Sequence, residues 1–198
     1  MNNNNIYISV VLCTYNDEKY IRKSIESILN QTYRYFELII IDDGSTDNTN
    51  KIIKEFNDSR IKFIEKKNTG LIDSLNYGFS ICKYEWVARM DGDDIAFSNR
   101  FETQIKYISE DVAVIGSQIV YIDENDNIIG KTHIPVNHKE ILKRVLNIRA
   151  PIVHPTVMIK KELFHKIGGY DMYIRHSEDY DLWLRLSKIG KLINTSEY

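Results

Sequence analysis

Cysteine is nearly absent from this chain. Its two cysteines, Cys13 and Cys82, are too few and too far apart to form a disulfide framework or a zinc site. They read as buried free thiols in a reducing compartment. No apolar run is long enough to span a bilayer. The opening segment Met1–Asn5 is polar and has no signal-peptide pattern. Charge of one sign is missing too: 26 Lys and Arg face 28 Asp and Glu, a net −2. That leaves no electrostatic footprint for nucleic acid or an anionic membrane. The 13 tyrosines make no stacking platform for nucleic acid without a basic groove beside them. Internal repeats, low-complexity linkers and a second domain boundary are also lacking. What remains is 198 residues, 43% hydrophobic and 27% charged, the composition of one soluble globular domain.

The first half alternates two periodicities. Ile6–Cys13 is an apolar, β-branched run that predicts a buried strand, and Phe36–Ile41, Ile61–Ile64 and Trp86–Met90 read as three further strands. Between them lie helical patterns. The first spans about Glu18–Asn30, with Ile21, Ile25, Ile28 and Leu29 on one face and Asn16 or Asp17 as cap. The second starts at Ser45, Thr46 or Asp47, and the third follows Asn68-Thr69-Gly70. This βαβαβαβ order predicts an α/β fold, with parallel strands and helices on both faces. Ligands of such sheets bind at the carboxyl ends of the strands. Thr14–Asp17, Asp42-Asp43 and Asp91-Gly92-Asp93-Asp94 all follow strands, so one edge collects them.

Three carboxylates within Asp91–Asp94 repel one another and resist desolvation, which a divalent cation would offset. Oxygen donors with no His or Cys nearby suit Mg²⁺ or Mn²⁺. An isolated acidic stretch of this kind also fits a solvated turn closed by Gly92.

The second half predicts a helix over Asn99–Ser109 and strands at Val112–Gly116, Gln118–Ile122 and Ile128–Thr132. It continues with a helix over Asn137–Asn147, a strand at His154–Ile159 and a helix over Lys161–Ile167. A last helix is capped by Ser177, with Glu178 and Asp179 in its first turn. Asp123–Asn127 reads as a plain hairpin turn, because it lacks the glycine and terminal Glu of a calcium loop.

The order Ser9-Val10-Val11, Thr14-Tyr15-Asn16, Asp42-Asp43-Gly44-Ser45-Thr46-Asp47, Asp91-Gly92-Asp93-Asp94, Gly168-Gly169-Tyr170-Asp171 and Glu178-Asp179-Tyr180-Asp181-Leu182-Trp183 resembles the family 2 glycosyltransferases of GT-A fold. The likeness runs from about Ile8 to Leu186. It implies a Rossmann-like, mostly parallel central sheet flanked by helices, with a small mixed acceptor-side sheet. It also implies a nucleotide-binding half over about 1–98 and an acceptor and catalytic-base half over about 99–198. The activity implied is metal-dependent inverting transfer from a nucleotide-diphosphate sugar, by analogy a UDP-sugar, to a glycan, lipid-linked saccharide or protein hydroxyl. Carried over residue by residue, Thr14, Tyr15, Asn16, Asp43 and Asp91 hold the nucleotide. Asp93 and Asp91 hold Mn²⁺ or Mg²⁺, Asp94 supports them or caps a helix, and Asp179 is the general base. A helix dipole at Asp179 is expected to lower its pKa. The donor and acceptor pocket draws on Asn68, Gly70, Asp171, His154, Glu178 and Trp183. His154 and Trp183 also carry a plain reading, as a satisfied structural histidine and a core indole. Where the family often has Ala-Arg-Asn, this chain has Ser74-Leu75-Asn76, so Arg89 or Lys67 would have to supply the basic contact. The expected location is the cytoplasm, at a membrane only through a partner, with homo-oligomerisation left open. Two other readings stand beside the transferase: a phospho-receiver domain using Asp42-Asp43, and an inactive nucleotide-sugar-binding module.

Overall fold

The computed structural model describes residues 5–147, 149, 151–174 and 176–198; the reading of the first four residues as polar and unlike a signal lies outside them. Strands β1 (Ile8–Thr14), β2 (Phe36–Asp42), β3 (Ile61–Glu65) and β4 (Trp86–Asp91) alternate with helices α1 (Ile21–Leu29), α2 (Thr49–Lys54) and α3 (Leu71–Ile81). Then come α4 (Arg100–Gln104), β5 (Val112–Gly116), β6 (Val120–Ile122), β7 (Ile128–Lys131), α5 (His138–Leu146), β8 (Met158–Lys160), α6 (Lys161–Lys166), α7 (Glu178–Leu186) and β9 (Lys191–Asn194).

One seven-stranded sheet runs in the order β3-β2-β1-β4-β8-β5-β9. Its first four strands are parallel; β8 is antiparallel to both β4 and β5, and β9 is parallel to β5. The mixed portion therefore continues the parallel one, while β6 and β7 form a separate antiparallel hairpin. All seven residues of β1 are buried, as a strand covered on both faces requires. Val11, Cys13, Ile39, Ile41 and Val87 point to one face, against Leu75 and Phe79 of α3, Ile141 and Val145 of α5, and Leu182, Trp183 and Leu186 of α7. Val10, Leu12, Leu38, Ile40 and Met90 point to the other, against Ile21, Ile25 and Ile28 of α1, Ile53 of α2 and Phe101 of α4. Cys13 and Cys82 are buried free thiols.

Several boundaries move from their sequence expectation. The His154–Ile159 strand shortens to β8, because His154–Thr156 forms a 3₁₀ turn with Pro155, which has no N–H for a ladder. The expected Asn99–Ser109 helix is α4 followed by a 3₁₀ turn. The Gln118–Ile122 strand begins only at Val120, since the Gln118 amide turns inward to the carbonyls of Ile134 and Thr195. Neither proposed cap forms. The Asp17 carboxylate accepts from Thr14 Oγ1 instead of closing α1, and Ser177 Oγ donates back to the His176 carbonyl. α2 starts at Thr49, beyond the three starts proposed for it.

Candidate active site

The sheet register sets Thr14 beside Asp42 and Cys13 beside Asp91, so the first, second and fourth strands end together. The loops beyond them are stapled to one another. Asn16, with φ 59°, donates its amide to Ser45 Oγ at 2.9 Å and accepts from the Thr46 amide at 2.8 Å. The Asp17 amide reaches Thr49 Oγ1 at 2.8 Å, and Glu18 accepts from Asn48. Tyr15 stands 48% exposed at this edge, a free aromatic face above the strand ends.

The two aspartates after β2 divide their work. Asp42 is buried and structural: it accepts from the Ser45 amide at 2.9 Å and from Asn50 Nδ2 at 3.3 Å. Asp43 accepts from Lys66 Nζ at 2.6 Å and the Thr69 amide at 3.0 Å on one oxygen, and from the Gly70 amide at 2.8 Å on the other. Burial works against ionisation of Asp43, yet these donors outweigh it and hold the carboxyl below its ordinary range. Gly44 permits the arrangement: its φ is +78°, and a Cβ there would lie 2.7 Å from the Asn68 amide nitrogen. With both acids engaged in this way, Asp42-Asp43 does not present the open acid pair of a phospho-receiver. Asn68 itself is exposed, and Gly70 has φ +95° at the head of α3.

At the end of β4, the buried Arg89 grips Asp91 through two nitrogens, at 2.6 and 3.0 Å. Arg89 is thus committed inside the fold, which leaves it unavailable as the exposed basic contact proposed for it. Carboxylate oxygens of Asp91, Asp93 and Asp94 can all lie within 4.8 Å of one another. No hydrogen bond reaches the side chain of Asp93 or Asp94 among the described residues, so both keep their lone pairs. Burial, then Asp91 and Asp93, push Asp94 up to about 6. Burial also raises Asp91, against the pull of Arg89. Asp94 caps no helix, since α4 begins at Arg100. A hard, all-oxygen set with two unpaired carboxylates fits Mg²⁺ or Mn²⁺. Asp17 joins this group unforeseen: its Oδ2 sits 2.3 Å from where a Cβ on Gly92 would be, and its charge is felt by that of Asp93.

The opposite wall comes from the second half. Gly168 and Gly169 both have positive φ, at 83° and 71°. They turn the chain so that the Tyr170 amide donates to Asn76 Oδ1 and Asn76 Nδ2 donates to the Tyr170 carbonyl, both at 2.9 Å. Two sequence motifs thereby meet. Tyr170 is buried and its hydroxyl lies 2.7 Å from His154 Nε2. Burial, with Arg89 nearby, keeps His154 well below its usual pKa and so neutral. Trp183 is fully buried, edge-on to His154 with ring centroids 5.9 Å apart. His154 and Trp183 therefore build the floor beneath the site, and Trp183 presents no surface to a substrate. Asp171 is exposed and accepts from the Tyr173 amide, holding its own loop.

Asp179 and Glu178 open α7, both partly exposed. The dipole argument gave the wrong sign for Asp179. Burial raises its pKa and Glu178 adds to the rise, outweighing the Tyr180 amide and Arg89. Arg89 acts on both Asp91 and Asp179, so the strand-end acids and the α7 carboxylate share one buried cation.

The profile described as "Glycosyl transferase family 2" matches residues 9–168. An O-antigen biosynthesis glycosyltransferase of Escherichia coli, WbnJ, is 40% identical over 183 residues, covering 90% of this chain and 71% of that protein. An uncharacterized glycosyltransferase of Methanocaldococcus jannaschii is 39% identical, over 90% of this chain and 63% of its own length. Among solved structures, S. aureus TarS residues 1–349 in complex with UDP-GlcNAc superimposes with a TM-score of 0.79 at 20% identity, covering 98% of this chain and 57% of that one. The mannosyltransferase PcManGT from Pyrobaculum calidifontis, in complex with GDP-Man and Mn²⁺, gives 0.74 at 19% identity, over 96% and 54%. This chain thus spans 63% to 71% of the first three curated relatives it matches and little more than half of these solved chains. The structural likeness shows the GT-A fold, and the sequence matches carry the family: the chain belongs to glycosyl transferase family 2.

Proposed function

We propose that this domain moves a sugar from a nucleoside diphosphate donor, of which UDP-sugars are the favoured class, to a hydroxyl of a glycan, lipid-linked saccharide or protein, with inversion at the anomeric carbon. The observation that carries this reading is the set of unpaired carboxylates Asp93 and Asp94 at one strand end, joined through the Arg89 charge to Asp179 on the facing helix. TarS with UDP-GlcNAc and PcManGT with GDP-Man and Mn²⁺ support a nucleotide-sugar donor and a divalent ion on this fold. The first half of the chain binds the donor: Tyr15 stacks on the base, Asp43 accepts from it, and Thr14, Asn16 and Asp91 line the ribose side. Asp93 holds the cation, with Asp91 oriented by Arg89 and Asp94 alongside. When bound, that ion neutralises charge growing on the leaving diphosphate. Asp179 takes the acceptor hydroxyl proton as the oxygen bonds to the anomeric carbon, and the electron pair of the breaking bond leaves on the nucleoside diphosphate. Such assistance is worth about 10² to 10⁴ in rate. Its raised pKa suits a base, since a more basic carboxylate takes a proton more readily. Asn68, Gly70, Asp171 and Glu178 border the donor sugar and acceptor. No helix among the described residues is long and apolar enough to cross a membrane.

The test is a thermal-shift and calorimetric panel of nucleoside diphosphates with and without Mn²⁺. Asp93→Ala is expected to abolish metal-dependent binding, whereas Asp179→Asn retains binding and loses transfer. Turnover undiminished in Asp93→Ala would sink the metal assignment. Nucleotide binding with no turnover across a broad donor and acceptor panel would favour the inactive-module reading.

A further inference from the structure

The first turn of α7 carries Glu178 and Asp179, and one side chain ties that turn to another element. Farther along, the helix is held by its core residues Leu182, Trp183 and Leu186, and by Arg185, whose Nη1 donates to the carbonyls of Ile167 and Gly169. Toward its start that support is missing. Ser177 Oγ turns back to His176, and no hydrogen bond joins the Glu178 side chain to another residue among those described. Tyr180 alone reaches out of the turn. Its hydroxyl lies 2.8 Å from the Arg149 carbonyl, 3.1 Å from that of Arg144 and 3.3 Å from that of Val145. Two of those oxygens belong to the last turn of α5, where helical carbonyls run out of partners inside the helix.

The same residue also holds the carboxylate. The Tyr180 amide donates to Asp179 Oδ1 at 2.7 Å. That N–H is one of the first-turn donors that a helix cannot satisfy internally. No other residue bonds to the Asp179 carboxylate among those described, so Oδ2 keeps its lone pairs. The charged and titratable groups acting on it are Glu178 on its own helix, Arg89 from β4, and the Tyr170 and Tyr180 phenols. Burial raises the pKa of the Tyr180 phenol, so at neutral pH it stays protonated and donates.

The geometry points to Tyr180 as a positioning residue: its hydroxyl, anchored at the end of α5, fixes the amide that holds Asp179 Oδ1 and leaves Oδ2 as the oxygen that takes the acceptor proton. The inference rests on the proposed role of Asp179 as the base and adds the residue that aims it. Helix ends fray when nothing outside the helix holds them. A misplacement of about 1 Å in a reacting group can cost about 10² in rate. Tyr180→Phe isolates the effect, because it keeps the ring that packs on the core and the amide that meets Asp179, and removes the hydroxyl alone. The Arg144 carbonyl retains the amides of Asn147 and Arg149, so the end of α5 stays capped in that variant.

The experiment compares wild type, Tyr180→Phe and Asp179→Asn, with a thermal melt of each to confirm folding. Amide proton shifts are followed by NMR from neutral to acid pH. The wild-type Tyr180 amide is expected to titrate with Asp179, and Asp179→Asn to abolish that titration. Tyr180→Phe should lose most of it, while the Thr69 and Gly70 amides, bonded to Asp43, titrate alike in all three chains. Turnover is read as hydrolysis of UDP-glucose, UDP-galactose, UDP-GlcNAc, UDP-GalNAc and GDP-mannose with Mn²⁺, water standing in for the acceptor. In Tyr180→Phe, kcat should fall about tenfold with the donor KM unchanged. An unchanged kcat, or a residue-180 amide that titrates as before, would overturn the inference and leave the transferase reading in place. So would a fall in kcat accompanied by a higher donor KM or by altered Thr69 and Gly70 titrations, since that marks general loosening. Wild type that turns over none of these donors would overturn the transferase reading, and this inference with it. Should Tyr180→Phe fail to fold, Tyr180→Met takes its place under the same criteria, and a wild-type Tyr180 amide that does not titrate with Asp179 overturns the inference without any variant.

Discussion

Arg89→Met isolates the buried cation on which both halves of the site depend. Arg89 is 3% exposed in its side chain and Asp91 29%. Breaking a buried ion pair by removing one partner costs about 3–5 kcal/mol, because a charge is left uncompensated. Two features reduce that here. Asp91 keeps some contact with water, and Arg89 Nε has no partner, so the wild-type chain already bears a desolvation cost that methionine removes. The net expectation is a loss of about 2 kcal/mol, or about 4–8 °C in Tm for a domain of this size. The sign with pH follows from Asp91. Burial already raises its pKa in the fold, and losing Arg89 raises it further. An acid with a raised folded pKa lowers stability at neutral pH, and that loss is relieved as pH falls from the folded toward the unfolded value. The gap between wild type and variant should therefore narrow as pH falls from neutral, because the variant's Asp91 takes up its proton before the wild type's does. Thermal unfolding in EDTA from neutral pH downward reads it directly. Equal Tm values at neutral pH, or a gap that does not change with pH, would refute the assignment of Arg89 as the counter-charge of Asp91.

Other expectations follow from single contacts. Gly92→Ala puts a methyl 2.3 Å from Asp17 Oδ2 and 2.8 Å from Thr14 Oγ1; the Thr14–Asp17 bond breaks, stability falls by about 1 kcal/mol, and calorimetry should show weaker Mn²⁺-dependent nucleotide binding. Gly44→Ala meets a positive φ and the Asn68 backbone together, so denaturant unfolding should show a loss of more than about 1 kcal/mol. The transfer rate should fall as pH drops through a pKa above the ordinary aspartate range, because burial makes Asp179 hold its proton to higher pH; a limb at or below that range would contradict the geometry.

The parallel half was legible because β1, β2 and β4 are largely apolar runs buried along their length, and such runs have few alternatives. The acids were legible for the same reason: once the strands are placed, their carboxyl ends are placed. Lys191–Asn194 was not, because Lys-Leu-Ile-Asn is short and ambiguous and becomes a strand only through pairing with β5. The His154 region failed on Pro155. The sign of the Asp179 shift was missed because a dipole can be counted from sequence, whereas burial needs the packed neighbours. Lys66 and Arg89 escaped as partners of Asp43 and Asp91 because neither residue looks unusual until the loop and strand are folded around it. Asn76 is the intermediate case. The sequence placed it in α3, but only the positive φ of Gly168 and Gly169 brings Tyr170 onto its amide.

Counter-charge at this edge is unevenly shared. Asp43 has Lys66 and Asp91 has Arg89 as ion-pair partners, while at Asp94 burial and two like charges outweigh the weaker pull of Arg89 and Arg100. The fold therefore stores unfavourable electrostatics at Asp94, and a cation there would release them. Asp94→Asn tests this in two directions. With its pKa up at about 6 from an ordinary 3.8, the side chain opposes folding at neutral pH, and that opposition is relieved progressively as pH falls from the first value to the second. Discounting for its solvent contact, the asparagine variant should be more stable than wild type at neutral pH in EDTA by about 1 kcal/mol, and the difference should shrink as pH falls below about 6 and vanish only once pH is below the ordinary value of 3.8. Saturating Mn²⁺ should reverse the order. At 100 times its dissociation constant a ligand stabilises by about 2.7 kcal/mol, and the variant, with one carboxylate fewer, should gain less of it. A variant that is less stable than wild type in EDTA, or that gains as much from Mn²⁺, would show that Asp94 is held by the fold for its own sake and contributes nothing to the ion.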